Sequence, residues 1–226
     1  DKVKFYYNIL FNINFNIYEL LDKSKNNDNL SMKELELYKK QEDEYNERRI
    51  RVKCKIDFIL NSTIKEQKNY KHKKAMVLGH LGMGDQFYII GMIRYLSTIY
   101  DEVLVICKNN TENNVREIYS DDQSIKIMSV ISDRVISPAY GASITQFNKV
   151  FNNYSKYLLG FHRHGLGATY GNGKQIYDLP FSFYDDVQMD CQVFWDYFHV
   201  NKPDNSIILY NSINQTKNDN KYIFIH

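Results

Sequence analysis

From Lys73 to Ile131 the chain alternates short apolar runs with stretches of helical periodicity, and that alternation leaves few folds open. Ala75-Met-Val-Leu-Gly79 and Val103-Leu-Val-Ile-Cys107 are apolar at consecutive positions, the pattern of strands buried on both faces, and Ile125–Val130 reads as a third strand. Between the first two, Gln86–Ile99 reads as a helix carrying Phe87, Ile90, Ile93, Leu96 and Ile99. Asp101 and Glu102 turn the chain, and Asn113–Tyr119 reads as a shorter helix behind capping candidates Asn109 to Thr111. This βαβαβ order predicts an α/β fold: a Rossmann-like parallel sheet with right-handed crossovers and helices on both faces.

The flanks differ in character. Residues 1–70 contain neither Gly nor Pro and read as a helical N-terminal extension packed beside the main domain. Phe11, Ile13, Phe15 and Ile17 alternate with polar residues, which fits a strand; a helix burying Tyr7, Leu10 and Leu21 fits equally well. Ser31-Met-Lys-Glu34 is a capping box, and a long charged helix from about Met32 to Leu60 follows it, with acid–base pairs such as Glu44 and Arg48 at helical spacing. No apolar heptad is sustained along it, so a coiled coil is not indicated. The Rossmann-like domain spans 71–212. Beyond the first three strands the expectations are a helix over Gln146–Ser155, a strand over Lys156–Phe161, a loop over Gly160–Gly173, an aromatic helix within Phe181–Phe198 and a strand over Ile207–Tyr210. Residues 213–226 read as a linker and the first strand of a second domain. The chain begins at Asp1 rather than Met and ends inside an apolar run, so a piece of a longer protein is expected.

Several function classes are disfavoured. With 29 basic against 27 acidic side chains, the net charge of +2 offers no electrostatic footprint for nucleic acid. Three scattered cysteines, Cys54, Cys107 and Cys191, have no metal-type spacing and cannot form a disulfide framework, which points to a reducing, cytoplasmic setting. The apolar stretch Phe5–Leu21 is interrupted by asparagines and spans no membrane. No metal-binding motif occurs: there is no HExxH, no DxD and no nucleophile elbow.

The loop Gly79-His-Leu-Gly-Met-Gly-Asp85 follows the first strand, where open parallel sheets gather their ligands. Glycines admit close backbone approach, and the helix start that follows suits an anion. Asp85 stands at that start, where an aspartate also serves as an N-cap. His80, Gly82, Met83, Gly84 and Gln86 line the same candidate wall. The spacing is neither a dinucleotide fingerprint nor a P-loop. Lys108, after the second strand, and His162 and Arg163, after the strand ending near Phe161, share the topological argument; Arg163 could hold a phosphate or carboxylate.

The run Gly79–Asp85, followed by Gly91-Met-Ile-Arg-Tyr-Leu96 and Val103–Cys107, resembles the opening of GT-B-type glycosyltransferases, the heptosyltransferase-like group in particular. The acidic turn at Asp121-Asp and the final Tyr222–His226 suit the same likeness. The resemblance implies an N-terminal, acceptor-side domain. A nucleotide sugar would be the donor, a glycan or other hydroxyl compound the acceptor, and no metal or other cofactor would be needed. Asp85 would be the general base, with Gly82 and Gly84 admitting the acceptor. Met83, inserted between those glycines, and His80 depart from the group's pattern. Such a half would be inactive, or nearly so, alone. A non-catalytic Rossmann-like interaction or structural protein is the alternative from another class, and a nucleotide-sugar epimerase is a lesser one.

Overall fold

The structure is a computed structural model that describes residues 2–27, 30–62, 72–79, 81–131, 151–159 and 179–201. Two long helices come first. α1 (Lys2–Lys25) buries Tyr6, Ile9, Ile13 and Ile17, one face at helical spacing. Tyr7 stays half exposed and Leu10 and Leu21 only flank that core, so the buried face is offset from the expected one. The alternation of Phe11, Ile13, Phe15 and Ile17 is not a strand. In a helix, residues two apart point to nearly opposite sides, so Ile13 and Ile17 turn inward while Phe11 and Phe15 face outward.

α2 (Met32–Ile59) starts at the predicted capping box. Ser31 Oγ accepts from Glu34 N, and the Glu34 carboxylate accepts from Ser31 N at 2.8 Å. Hydrogen bonds from Ser31 hold the Glu34 carboxyl below its ordinary pKa. The helix ends in a Schellman motif: Asn61 adopts φ 50°, Ser62 N donates to Asp57 O and Asn61 N to Phe58 O. Val52 and Ile56 close the α1–α2 core.

The sheet follows. β1 (Lys74–Leu78), β2 (Glu102–Lys108), β3 (Ile125–Val130) and β4 (Tyr154–Leu158) lie in the order β3-β2-β1-β4, every pairing parallel. Ala75 sits opposite Val103 on one side and Ser155 on the other. β4 begins at Tyr154, so Tyr154 and Ser155, expected at the end of a helix, take up ladder partners on β1 instead. Residues 146–150 of that helix, and the elements expected over 160–173 and 207–226, fall outside the described residues.

The helix expected over 86–99 is two helices, α3 (Met83–Tyr88) and α4 (Ile90–Ile99), broken at Ile89. Tyr184 fills the break: its hydroxyl accepts from Met92 N at 3.1 Å and donates to Tyr88 O at 3.0 Å, satisfying backbone groups that interrupted helices leave open. α5 (Glu112–Ile118) connects β2 to β3. The aromatic region near the end is likewise two helices, α6 (Leu179–Asp186) and α7 (Gln192–Tyr197). On one sheet face Ala75, Val77, Val103, Val105 and Cys107 pack with Ile93 and Leu96 of α4, Val115 of α5 and Phe183 of α6. On the other, Met76, Leu78, Leu104 and Ile106 pack with Leu81, Met128 and Phe151. The β3–β4 connection runs through residues 132–150, outside the described residues.

The N-terminal helices are locked to the amino-terminal edge of this sheet. Arg51 and Lys55, one turn apart on α2, meet Asp101 (3.5 Å) before β2 and Asp122 (2.6 Å) before β3. Tyr6 of α1 donates its hydroxyl to Asp122 and accepts from Arg94 of α4. Arg94 pairs with Asp121 through both terminal nitrogens, at 2.8 and 3.1 Å, with both side chains fully buried.

Candidate functional site

β1 occupies the turning point of the sheet. β2 and β3 step away from it on one side, and β4 lies on the other. A crevice between adjacent strands whose connections run in opposite directions is where open α/β sheets bind ligands. Gly79 leaves β1 beside Leu159, which leaves β4, and Leu159 N donates to Leu78 O at 2.9 Å. The glycine loop is thus at the carboxyl edge of the sheet, next to its switch point.

Within the loop, Leu81 is buried and anchors it to the sheet, whereas Gly84 is exposed and a Cβ there would meet nothing within 4 Å. Gly82, not Asp85, is the N-cap of α3; Asp85 is the third helical residue. Its carboxylate folds back over Gly82, so that a Cβ at Gly82 would lie 2.7 Å from Asp85 Oδ2. Gly82 thereby makes room for the acid. Met83 and Asp85 are half-buried. Gln86 is buried, and its Nε2 donates to Ile106 O at 3.3 Å, tying α3 to the sheet edge. Lys108 ends β2 on the same edge, half-buried, with its carbonyl accepting from Thr111 Oγ1. His80, His162 and Arg163 lie outside the described residues. The structure therefore brings Gly82, Met83, Gly84, Asp85 and Gln86 together and sets Lys108 on the same sheet edge.

The break at Ile89 bears on the chemistry. A six-residue α3 carries much less aligned dipole than the fourteen-residue helix expected over 86–99, so the case for an anion at this loop weakens. Cys107, near the end of β2, is no rival nucleophile: burial, helped by the Glu112 charge, pushes its thiol up to about 11. Among the described residues no three His, Cys, Asp or Glu side chains group as metal ligands.

No protein family, characterised protein or solved structure matches this chain. The candidate site thus stands on its own geometry.

Two features of the molecule were not anticipated from sequence. One is the buried ionic cluster Tyr6–Arg94–Asp121–Asp122–Lys55. Burial opposes ionisation of Asp122, but the charges of Lys55 and Arg94 and hydrogen bonds from Lys55 and Ser124 outweigh it and hold the carboxyl well below the usual range. His199 approaches Asp121 at 3.8 Å, yet stays neutral: burial and the Arg94 charge push it down to about 4, because Arg94 already occupies that carboxylate. An arginine in an otherwise apolar helix was the available sequence signal. The other feature is a cavity of about 860 Å³ at the amino-terminal edge, lined by Tyr45, Arg48, His72, Lys73, Tyr95 and Tyr100 among others. None of the predicted site residues that the structure describes lines it. Several of its cations have partners: Lys73 binds Glu47 at 2.7 Å, and Arg48 binds Tyr197 and Thr98.

Proposed function

We propose that this chain is the acceptor-side half of a GT-B-type glycosyltransferase, which moves a sugar from a nucleotide-sugar donor to a hydroxyl acceptor in the cytoplasm. The observation that carries the reading is the position of the glycine loop. It follows the central strand of an all-parallel sheet at the switch point, with an open face at Gly84 and a half-buried acid at Asp85. In this reading the acceptor hydroxyl approaches over Gly84, and Asp85 takes its proton as the oxygen attacks the anomeric carbon. The glycosidic C–O bond forms as the bond from sugar to nucleotide diphosphate breaks, and the diphosphate leaves with the electron pair. Gln86 fixes α3 to β2 and so keeps Asp85 at the crevice. The donor would sit mainly on a second domain, so both walls are needed for transfer.

The test is sugar transfer by the full-length protein, using a panel of nucleoside diphosphate sugars and simple glycans. Asp85→Asn is expected to lower kcat by roughly 10²–10⁴-fold with an unchanged melting curve. Unaltered transfer by that variant would remove Asp85 as the base. Sugar returned as an epimer rather than transferred would indicate a nucleotide-sugar epimerase. A second reading, a non-catalytic interaction protein on a Rossmann-like scaffold, is favoured by one observation: the outward face of α1 is a row of exposed aromatic rings. Absence of any donor binding in titrations of the full-length protein would support that reading instead.

A further inference from the structure

α1 carries two apolar faces, and among the described residues only one is packed against the rest of the chain. Opposite the buried Tyr6, Ile9, Ile13 and Ile17 lie Tyr7, Phe11, Phe15 and Tyr18, spaced four, four and three residues apart. Their exposures run from 50 to 71%, with Phe11 the highest. Single exposed aromatics are ordinary, but a contiguous row on one helix face marks an interaction surface. At ~150–250 Å² per aromatic side chain, the exposed parts offer roughly 500 Å² per chain.

We infer that this face pairs with the same face of a second copy, α1 against α1 in antiparallel orientation about a two-fold axis. The charge pattern selects that occupant. Lys4 and Asp22 are both exposed and, five helical turns apart, share one flank of the aromatic row. In an antiparallel two-fold pair the same flank of each helix meets its own counterpart, reversed. Lys4 then faces Asp22 of the second copy, and Asp22 faces its Lys4. The same register sets Tyr7 against Tyr18 and Phe11 against Phe15. All these pairings centre on Asn12 and Ile13, so one axis satisfies them together. A parallel arrangement would oppose Lys4 to Lys4 and Asp22 to Asp22. A lipid surface would gain nothing from Asp22 or from Glu19 nearby. With about 1,000 Å² buried in total, the pair falls at the low end of specific interfaces, so a reversible dimer is expected, with Kd on the order of 10–100 µM.

Sedimentation velocity of the full chain from about 5 to about 300 µM reads this directly. The wild-type chain is expected to shift from monomer to dimer across that range. Phe11→Ser should weaken association by at least about tenfold, and Lys4→Glu should weaken it too, whereas Lys4→Glu combined with Asp22→Lys should restore it. All three positions are exposed, and an unchanged circular dichroism spectrum and melting curve are expected for each variant. Should Phe11→Ser lose its fold, the charge pair still decides the matter. A chain that stays monomeric throughout, or a double charge variant no better than Lys4→Glu alone, overturns the proposal. So does a monomer that co-sediments with phospholipid vesicles through Phe11, which would assign the face to a membrane surface.

Discussion

Lys55 and Asp122 show why single residues at the amino-terminal edge matter more than their number suggests. Each is buried, and Lys55 Nζ reaches both Asp122 oxygens and Ser124 Oγ, adding the nearest charge to the field that Arg94 also exerts on Asp122. Removing one partner leaves the other's charge less well compensated in a low-dielectric site. Lys55→Met is therefore expected to cost about 3–5 kcal/mol in urea unfolding, while Lys55→Met with Asp122→Leu should regain much of that loss. The same cluster sets the response to pH. His199 titrates near 4 in the folded chain against about 6.5 when unfolded, so between those values the unfolded state binds more protons. Stability is then lost as pH falls from about 6.5 to about 4, by on the order of 2 kcal/mol. Asp122, with its folded pKa depressed, contributes stability that is present above about 4 and is lost as acid is added below that. Thermal melts between pH 7 and pH 3 should show both declines, and His199→Phe should abolish only the first. A flat profile from pH 6.5 to 4 would contradict the neutral imidazole.

Gly91 shows at the element scale how closely two helices meet. It belongs to the run that resembles a glycosyltransferase motif, and in the structure it lies at a contact between helices. A Cβ at Gly91 would lie 2.7 Å from both Phe194 Cα and Phe194 O, so α4 and α7 approach backbone to backbone there. Alanine raises helix propensity by about 1 kcal/mol, but backbone cannot step aside as a side chain can. Gly91→Ala should thus be a net loss of about 1–3 kcal/mol, measured by chemical denaturation; a stabilised variant would show that α7 is free to shift. Arg94 in the same run is likewise accounted for by its burial against Asp121. Strands β1 and β2 and the capping box of α2 were legible because their signals are local: consecutive apolar residues, and a Ser three places before a Glu; β3, with Lys126 and Ser129 inside it, was legible from its place in the alternation. The break at Ile89 was not, since it depends on Tyr184, ninety-odd residues away. The helix that the Glu44 and Arg48 spacing supported is present, but Arg48 turns to Thr98 and Tyr197, and stacks over the Tyr45 and Tyr95 rings.

At the scale of the whole molecule, the sequence changes character between residues 1–70 and the Rossmann-like unit, and in the structure α1 and α2 pack against that unit through buried polar contacts. The composition changes sharply near Lys73, which suggests an appendage. Nothing local announces that Arg51 will find Asp101, Lys55 will find Asp122, or Tyr6 will sit between Arg94 and Asp122; such pairings carry no period. The strand order was hidden likewise, because β4 reaches β1 only through the long connection after β3. The candidate loop, by contrast, was placed on the correct sheet edge from sequence alone, since a strand followed by glycines and a helix start is a local pattern. These facts make a distinct forecast for truncation. A chain lacking residues 1–62 would lose the α1–α2 apolar cluster, uncover Tyr197 that packs against it, and leave Asp101 and Asp122 without their α2 partners and Arg94 without Tyr6. It is expected to lose cooperative unfolding, with a flattened near-ultraviolet dichroism spectrum and no sharp thermal transition. If residues 63–226 instead melt cooperatively within a few degrees of the full chain, α1 and α2 are an appendage after all. The glycine loop, at the far edge of the sheet, would then owe its geometry to β1, β2 and β4 alone. With the helices required, the ion pairs at the amino-terminal edge act as a structural clamp on the sheet.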